Sequence, residues 1–281
     1  MVQVGPYSVS LYTSERFRLD GGAMFGSVPK VLWHKLLPAD ESNRIQLACN
    51  LLVLDGGGRR VLVDVGMGRK WSEKEVGIYA VEYLDSRALH EAVPGVTDLV
   101  LTHLHFDHAG GISFRDAAGV VQAAFPQAMI YLSKANLEHA RHPNLRERAS
   151  YLAENLEPAI AGKLTLTEDG AEILPQIKTM QSNGHTHGLQ ILLIGEGKGA
   201  IAYPSDLIPT SRHLAVPYVM SYDLCAETSM REKDLFLKRA VAEEWRVVFE
   251  HDADTPCATL TFDERGRAVI RERVELPRWK A

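Results

Sequence analysis

Cysteine is scarce in this sequence of 281 residues, which has only Cys49, Cys225 and Cys257. The three are odd in number and far apart, and none lies in a Cys-x-x-Cys pair, which argues against a metal role for them. We therefore expect buried, reduced thiols, as is typical of a reducing compartment, and we predict a cytoplasmic protein.

Long apolar runs and runs of like charge are absent. No apolar stretch reaches the length that a membrane span needs. Residues 1–5 lack the basic region and apolar run of a secretory signal, although a mature form whose leader has been removed would look the same. The formal net charge of −5 is mild and not concentrated in runs. We expect binding neither to nucleic acid nor to a membrane surface.

Linker-like and low-complexity segments are absent as well, and so is the Gly-x-Ser-x-Gly elbow of serine hydrolases. Nearly half of the residues are apolar, which is enough for a sizeable core. Both halves of the chain run through strands, then a histidine-containing loop, then helices. We expect a single domain, residues 1–281, built of two similar halves.

Apolar periodicity and turn residues predict the secondary structure. We expect a weak first strand at 7–12, a helical region at 71–93, helices at 134–141, 143–161 and 227–244, and hairpins at 49–65, 191–203 and 257–274. Further strands are expected at 98–102, 120–124, 128–132, 164–167, 176–180 and 246–249. Ser133 can cap the helix that begins at 134. His139 and His142 fall in a polar helical region, and we interpret them as surface groups.

Residues 102–111, THLHFDHAGG, are the most informative stretch, and they directly follow the apolar run at 98–101. This order predicts a buried strand that ends in a loop opening a helix. His103 and His105 are two residues apart, so they project to the same side of an extended backbone. Asp107 and His108 follow at the turn.

These four side chains indicate a metal site. Neutral imidazoles with a carboxylate suit zinc, manganese, iron or cobalt. Four such groups in one loop are more than a single ion takes from one segment. The alternative, ordinary surface histidines, is weaker because burying several imidazoles without a metal leaves their donors unpaired. We predict the start of a site for two divalent ions.

The pattern His-x-His-x-Asp-His after a strand resembles the signature of the metallo-β-lactamase superfamily. The resemblance implies an α/β fold, a four-layer αβ/βα sandwich in which two mixed sheets pack face to face with helices outside. It also implies one or two metal ions at the shared edge of the two sheets. Three further ligands are then expected later in the chain, in a set order.

The third ligand of the first metal is expected at His185. Residues 184–188 read GHTHG, where the family usually has Gly-His-Thr-Pro-Gly-His with the first histidine binding metal. His187 stands where proline is usual. We interpret His187 as a surface residue or one that supports the ligands, rather than as a ligand.

Three further residues complete the predicted site. Asp206 ends an apolar strand just after the histidine segment, where a carboxylate suits a bridge between two cations about 3.5–4 Å apart. Its alternative is a simple strand-end cap. The resemblance implies His251, at the end of a late strand, as the last ligand of the second metal. It also implies that Asp64 lies under the metals and orients ligands, although a turn cap is the alternative.

Two segments are candidates for the pocket wall. Residues 19–30 read as a glycine-punctuated loop with exposed-looking Met24 and Phe25, either a connector or a lip over the site. Residues 20–30 also resemble a segment of the lactonase and organophosphate-hydrolase-like branch. Residues 207–222 form a second predicted loop. The full set of candidate pocket residues is Met24, Phe25, Phe106, Tyr218, Met220 and Tyr222.

The resemblance and the ligand types imply a hydrolase. His103, His105 and His185 would hold one ion and Asp107, His108 and His251 the other, with Asp206 between. Zinc is the first choice of metal, and manganese, iron and cobalt accept the same ligands. A metal-bridging hydroxide would attack the substrate, and Asp107 could pass a proton to the leaving group.

The bridging aspartate is typical of lactonases, glyoxalase II-like thioesterases and organophosphate hydrolases, and it disfavours β-lactam hydrolysis. Our first hypothesis is a hydrolase of lactones or esters, including acyl-homoserine lactones, with side activity on phosphotriesters. The alternatives are a glyoxalase II-like thioesterase and, from another class, a non-catalytic metal-binding scaffold. The expected partner is a small-molecule substrate, and the exposed apolar loops would fit a homodimer.

Overall fold

Two large sheets dominate the computed structural model, which describes residues 2–280. The first sheet runs, in spatial order, through Val2–Val4 (β1), Tyr7–Asp20 (β2), Arg44–Gly56 (β3), Arg59–Val63 (β4), Asp98–Val100 (β6), Met129–Ser133 (β9) and Lys163–Thr167 (β10), with Glu82–Tyr83 (β5) paired to β2. Ser113–Arg115 (β7) and Val121–Ala123 (β8) form a separate two-stranded ribbon. Neighbours β1 to β4 pair antiparallel, and β4, β6, β9 and β10 pair parallel.

The second sheet has seven strands in chain order: Glu172–Leu174 (β11), Ile177–Ser182 (β12), Leu189–Ile194 (β13), Ile201–Tyr203 (β14), Arg246–Val248 (β15), Cys257–Phe262 (β16) and Ala268–Arg273 (β17). Its one parallel pair is β14 with β15, and its other neighbours are antiparallel. Both sheets are therefore mixed, as expected.

The helices are Gly21–Phe25 (α1), Lys30–Trp33 (α2), Glu73–Tyr79 (α3), Leu89–Ala92 (α4), Phe106–Ala109 (α5), Lys134–Arg141 (α6), Ala153–Ala161 (α7) and Ala226–Ala242 (α8). Short 3₁₀ turns lie at Gly110–Ile112, Ser205–Leu207 and Ser211–His213. Within residues 2–280, no helix is both long and apolar enough to cross a membrane.

Three apolar clusters hold the layers together. The central one joins the inner faces of the two sheets, with Leu52 and Val63 from the first and Leu192 and Val248 from the second. The other two lie outside. Helices α6 and α7 cover the first sheet, and α8 packs against the second. Helices outside and two sheets inside give the predicted four-layer αβ/βα sandwich, because each sheet buries one face against the other sheet and its second face against helices.

Most strand predictions are confirmed to within a few residues, and Ser133 caps α6 by accepting a hydrogen bond from the Asn136 N–H at 3.3 Å. The prediction of a loop at 19–30 was wrong in part. Asp20 accepts a hydrogen bond from the Ala23 N–H at 2.8 Å and starts α1, and α2 follows at Lys30–Trp33. The helix predicted at 143–161 begins only at Ala153. Cys49 and Cys257 are buried as expected, whereas Cys225 is exposed.

One edge of the sandwich collects the chain segments that carry the candidate ligands. The parallel strands β4 and β6 end there, followed by Asp64 and the histidine loop, and β14 and β15 end there in the other sheet. Strand β13 runs antiparallel to β14, so the residues before it lie at the same edge. The Gln190 N–H donates to the Thr102 carbonyl at 2.8 Å and joins the two sheets at this point.

Candidate metal centre

The histidine loop, residues 102–111, is held in shape by two hydrogen bonds from its backbone N–H groups to side chains elsewhere in the chain. Strand β6 ends at Val100, and the Thr102 N–H then donates to Asp64 Oδ1 at 2.7 Å. The Leu104 N–H donates to Asn136 Oδ1 at 3.0 Å, and α5 begins at Phe106. His103 and His105 therefore lie on extended backbone before the helix. Asp107 and His108 lie on its first turn, as the sequence predicts.

His103, His105, His185 and Asp206 form the first group of donor atoms. One nitrogen or oxygen from each lies within 4.8 Å of the others, and all four side chains are buried. His105 Nδ1 is 3.2 Å from His185 Nε2, and His185 Nε2 is 3.2 Å from Asp206 Oδ2.

Asp107, His108 and His251 form the second group. His108 Nε2 and His251 Nε2 are 3.2 Å apart, and the Asp107 carboxylate lies 3.9 Å from the former and 3.8 Å from the latter. Asp206 also faces this group, with Oδ1 3.1 Å from His251 Nε2 and Oδ2 3.5 Å from His108 Nε2. Asp206 thus lies between the two groups.

The protonation pattern fits cations in both groups. His251 Nδ1 is 2.8 Å from the Ala48 carbonyl, which can only accept, so Nδ1 carries a proton and, when the ring is neutral, Nε2 presents a lone pair inward. His185 Nδ1 lies 2.9 Å from Asp223 in the same way. Within the described chain, the buried His103 Nε2 has no hydrogen-bond partner. In each group, two ring nitrogens 3.2 Å apart point into the same space. A divalent ion bound in that space would stabilise this arrangement.

Electrostatics at the site follow from burial and from the carboxylates. Burial, followed by the neighbouring imidazoles, holds the pKa of His103 well below its usual value, so this ring is neutral and able to bind a metal. Burial also lowers the pKa of His251, but the Asp206 carboxylate outweighs it and raises that pKa to about 9. The negative charge of Asp206 therefore stabilises positive charge between the two donor groups, whether that charge is a proton on His251 or a bound cation.

Strained backbone lies directly beside the site. Asp64 has a φ of 56° and Ser205, next to Asp206, a φ of 50°. Such values are unfavourable for residues other than glycine and persist only where other contacts impose them. The Asp64 carboxylate accepts hydrogen bonds from the Thr102 N–H and hydroxyl, both at 2.7 Å, and the Ser205 hydroxyl donates to Thr102 Oγ1 at 3.0 Å.

Asp64 contacts the outward nitrogen of one candidate ligand, with Oδ2 3.1 Å from His108 Nδ1. Three carboxylates near the histidines were missed. Glu250 Oε2 is 3.0 Å from His108 Nδ1, and Asp223 contacts His185. Glu147 lies near His105. Glu250 directly precedes His251 and could have been found from that position, whereas Glu147 and Asp223 lie on irregular segments that give no sequence signal.

A cavity of about 470 Å³ opens over the two groups. Its lining includes four of the candidate pocket residues, Met24, Phe106, Met220 and Tyr222. The prediction for Phe25 and Tyr218 was wrong, because neither lines this cavity. Phe25 is fully buried and stacks on His213 with ring centroids 4.4 Å apart, and Tyr218 packs edge-on against Phe25. Met24 is also buried and does not form an exposed lip.

His187 and His139 lie outside the two donor groups. His187 is exposed, and its ring centroid is 4.8 Å from that of His139. His142 is exposed as expected, but the surface prediction for His139 was wrong. His139 is half-buried, and its Nε2 contacts Glu147 Oε1.

Comparison with known proteins finds N-acyl homoserine lactonases and probable metallo-hydrolases among the relatives of this chain. The family model of the metallo-beta-lactamase superfamily matches residues 44–251. An N-acyl homoserine lactonase of a Bacillus species is 29% identical over 170 residues, which is 59% of this chain and 60% of the relative. A probable metallo-hydrolase of Mycobacterium tuberculosis is 30% identical over 126 residues, 38% of this chain and 36% of the relative. The chain thus spans about 60% of the length of the lactonases it matches.

Solved structures show the same fold over nearly the whole chain. A probable metal-dependent hydrolase from Staphylococcus aureus superposes with a TM-score of 0.84 at 28% identity, covering 98% of this chain and 100% of the other. AidC, a dizinc quorum-quenching lactonase in complex with its product, superposes with a TM-score of 0.76 at 20% identity, covering 98% of this chain and 97% of the other.

Proposed function

The chain belongs to the metallo-beta-lactamase superfamily, and from this premise we propose that it is a dinuclear, metal-dependent hydrolase of lactones or related esters. The observation that carries the proposal is the position of Asp206, whose two oxygens lie 3.2 Å from His185 and 3.1 Å from His251, one in each donor group. A carboxylate between two such groups offsets the repulsion of two close cations.

Each of the seven side chains has a role in this proposal. His103, His105 and His185 hold one ion, and Asp107, His108 and His251 hold the other, with Asp206 shared. Zinc is the first choice, because imidazole and carboxylate ligands suit it. When bound, a pair of such ions polarises a substrate carbonyl and lowers the pKa of water towards neutrality.

Asp107 is the carboxylate that we propose for proton transfer. It lines the cavity, and its oxygens lie 3.8 Å or more from His108 and His251, farther than those of Asp206. A carboxylate at the cavity floor can hold a proton and deliver it to the leaving alkoxide of a ring-opened lactone.

The cavity walls favour an uncharged substrate with an apolar chain. One wall is formed by Leu19, Met24, Leu47, Phe106 and Met220. Among the described residues of the lining, Arg146 is the one arginine or lysine, so there is little to attract a polyanionic substrate. N-acyl homoserine lactones, the substrates named for the Bacillus relatives, combine a neutral ring with an acyl chain of this kind.

The test is hydrolysis by the metal-loaded protein of an acyl-homoserine lactone, an aryl ester, a phosphotriester and a glutathione thioester. We expect the lactone to be turned over fastest. Turnover of the thioester alone would replace this proposal with a thioesterase. Silence on all four, with two ions bound per chain, would leave a metal-binding scaffold without activity.

His185 and His187 provide a matched pair of variants for the same assay. His185→Ala removes a donor of the first group and should lower kcat/KM by at least about 100-fold. His187→Ala, two residues away and exposed, should stay within about threefold of the parent.

A further inference from the structure

Glu147 is a buried carboxylate on the irregular segment between α6 and α7, and nothing so far explains its burial. Its side chain is only 4% exposed, and an ionised carboxylate at such a position is costly unless it is paired. Oε1 has two partners, His139 Nε2 and the Thr186 hydroxyl, which donates at 3.2 Å. Oε2 is buried and has no hydrogen-bond partner in the described chain.

The unpaired Oε2 faces the unpaired nitrogen of a candidate ligand. His105 Nδ1 lies 3.2 Å from His185 Nε2 and so points into the first donor group. His105 Nε2, on the other side of the ring, is buried without a hydrogen-bond partner, and it is 3.7 Å from Glu147 Oε2. Two orphaned buried polar atoms therefore face each other at slightly more than hydrogen-bond length.

Glu147 does not belong to either donor group. Among residues 2–280, the first group consists of His103, His105, His185 and Asp206. Glu147 lies 3.7 Å from the nitrogen on the far side of the His105 ring. The edge of the Tyr151 ring packs on His105 with centroids 4.9 Å apart, and the Tyr151 hydroxyl is 2.7 Å from Thr186 Oγ1. These contacts hold Glu147 between the segment that carries His105 and the segment that carries His185.

We propose that Glu147 is the positioning residue of His105, accepting the Nε2 proton and so presenting Nδ1 to the first metal ion. This inference rests on the metal site of the proposed function. A carboxylate behind a metal-bound imidazole fixes the tautomer and ring orientation and makes the nitrogen a better ligand. Asp223 stands in the same relation to His185, at 2.9 Å.

The segment that carries Glu147 also forms part of the cavity. Arg146, Glu147, Ala149 and Ser150 line it, and the Arg146 guanidinium donates to the carbonyl of Ser221, which also lines the cavity. The segment that carries Glu147 therefore contributes to the cavity wall and also contacts the first donor group.

The test is metal affinity, measured by competition of zinc between the metal-free protein and a chromophoric chelator. Glu147→Ala should weaken at least one of the two zinc affinities by about 10- to 100-fold. Glu147→Gln keeps an acceptor but loses the charge, so its loss should be smaller, about three- to tenfold. The cobalt-substituted protein should show a changed visible absorption spectrum in both variants.

His139→Ala is the matched control, because it removes one of the two partners of Glu147 Oε1 and leaves the contact between Oε2 and His105. Its zinc affinities should stay within about threefold of the parent. Equal losses in His139→Ala and Glu147→Ala, or parental affinities in Glu147→Gln and Glu147→Ala with only a lower melting temperature, would overturn the inference. If Glu147→Ala does not fold, the Glu147→Gln result decides. A parent that binds no zinc would instead refute the proposed function.

Discussion

Four of the five histidines of the candidate site have a partner within 3.1 Å of the ring nitrogen that points away from it. These partners are Thr102 for His103, Asp64 and Glu250 for His108, Asp223 for His185, and the Ala48 carbonyl for His251. The fifth, His105, faces Glu147 at 3.7 Å. An acceptor on the outer nitrogen of a neutral ring leaves the lone pair on the inward nitrogen.

At the residue scale, we expect Phe25 to contribute to the stability of the fold and Tyr222 to contribute to substrate binding. Phe25 is fully buried between Trp33 and His213, so Phe25→Ala should lower the free energy of unfolding by about 3–5 kcal/mol. Tyr222 is 39% exposed and lines the cavity. Tyr222→Ala should cost less than about 1 kcal/mol and raise KM for a long-chain lactone more than it lowers kcat.

Urea denaturation and lactone kinetics on both variants check this prediction. A parental unfolding free energy in Phe25→Ala would show that the residue is not part of the core. An unchanged KM in Tyr222→Ala would remove Tyr222 from the substrate pocket.

At the element scale, Lys233 connects helix α8 to the loop that precedes it. Its ammonium group is almost fully buried and donates to the His213 carbonyl at 3.1 Å and the Tyr218 carbonyl at 2.5 Å. Burial lowers the pKa of Lys233 to about 7, although Asp223 acts in the opposite direction. An uncharged amine can still donate to both carbonyls.

Because the pKa of Lys233 is lowered in the folded chain, the free energy of unfolding should rise with pH. Between about pH 7 and the usual lysine value near 10.4, the unfolded chain binds a proton that the folded chain does not, so Lys233 favours folding more as the pH rises. From pH 7 to pH 9 the parent should gain roughly 2 kcal/mol relative to Lys233→Met. Lys238→Met, on an exposed face of the same helix, is the control and should follow the parent. Parallel curves for the parent and Lys233→Met, from urea titrations at several pH values, would refute the prediction.

Gly110, at the end of the histidine loop, is required by a close backbone approach. A Cβ at this position would lie 2.0 Å from the Met67 carbonyl oxygen, whereas one on Gly77 in α3 would meet nothing within 4 Å. Gly110→Ala should therefore lower the free energy of unfolding by about 2 kcal/mol or more. Gly77→Ala should raise it by about 0.5–1 kcal/mol. Thermal melts would test this pair, and similar effects at the two positions would contradict it.

The sequence predicts regular elements better than the segments between them. The hairpin that spans β13 and β14 follows from two apolar runs separated by glycines, and the histidine loop follows from the spacing of His103, His105 and His108. Helix α1 and the irregular segment at 143–152 depend instead on distant contacts. The Gly21 N–H donates to the Asn43 carbonyl, and Glu147 is held by His139. Such contacts are not visible in a local pattern, so the burial of Phe25 and of Glu147 was missed.

The site joins the two halves of the whole molecule. His103, His105, Asp107 and His108 follow a strand of the first sheet, whereas His185, Asp206 and His251 border strands of the second. The central apolar cluster also draws on both sheets. We therefore propose that the chain is a single domain whose metal ions cross-link its halves.

Metal removal should accordingly destabilise the whole fold. At a free zinc concentration about a thousandfold above Kd, one bound ion stabilises the folded state by about 4 kcal/mol, so the metal-free protein should melt on the order of 10 °C lower. Calorimetry with and without a chelator measures this difference. His185→Ala should show a smaller zinc-dependent rise than His187→Ala, and equal rises in the two variants would argue against His185 as a ligand.

Anomalous diffraction from crystals of the zinc-loaded protein, recorded at the zinc absorption edge, tests the two-metal centre most directly. The account predicts two peaks about 3.5–4 Å apart, one bonded to His103, His105 and His185, the other to Asp107, His108 and His251, and both to Asp206. A single peak, or peaks elsewhere such as beside His139 and His187, would contradict it.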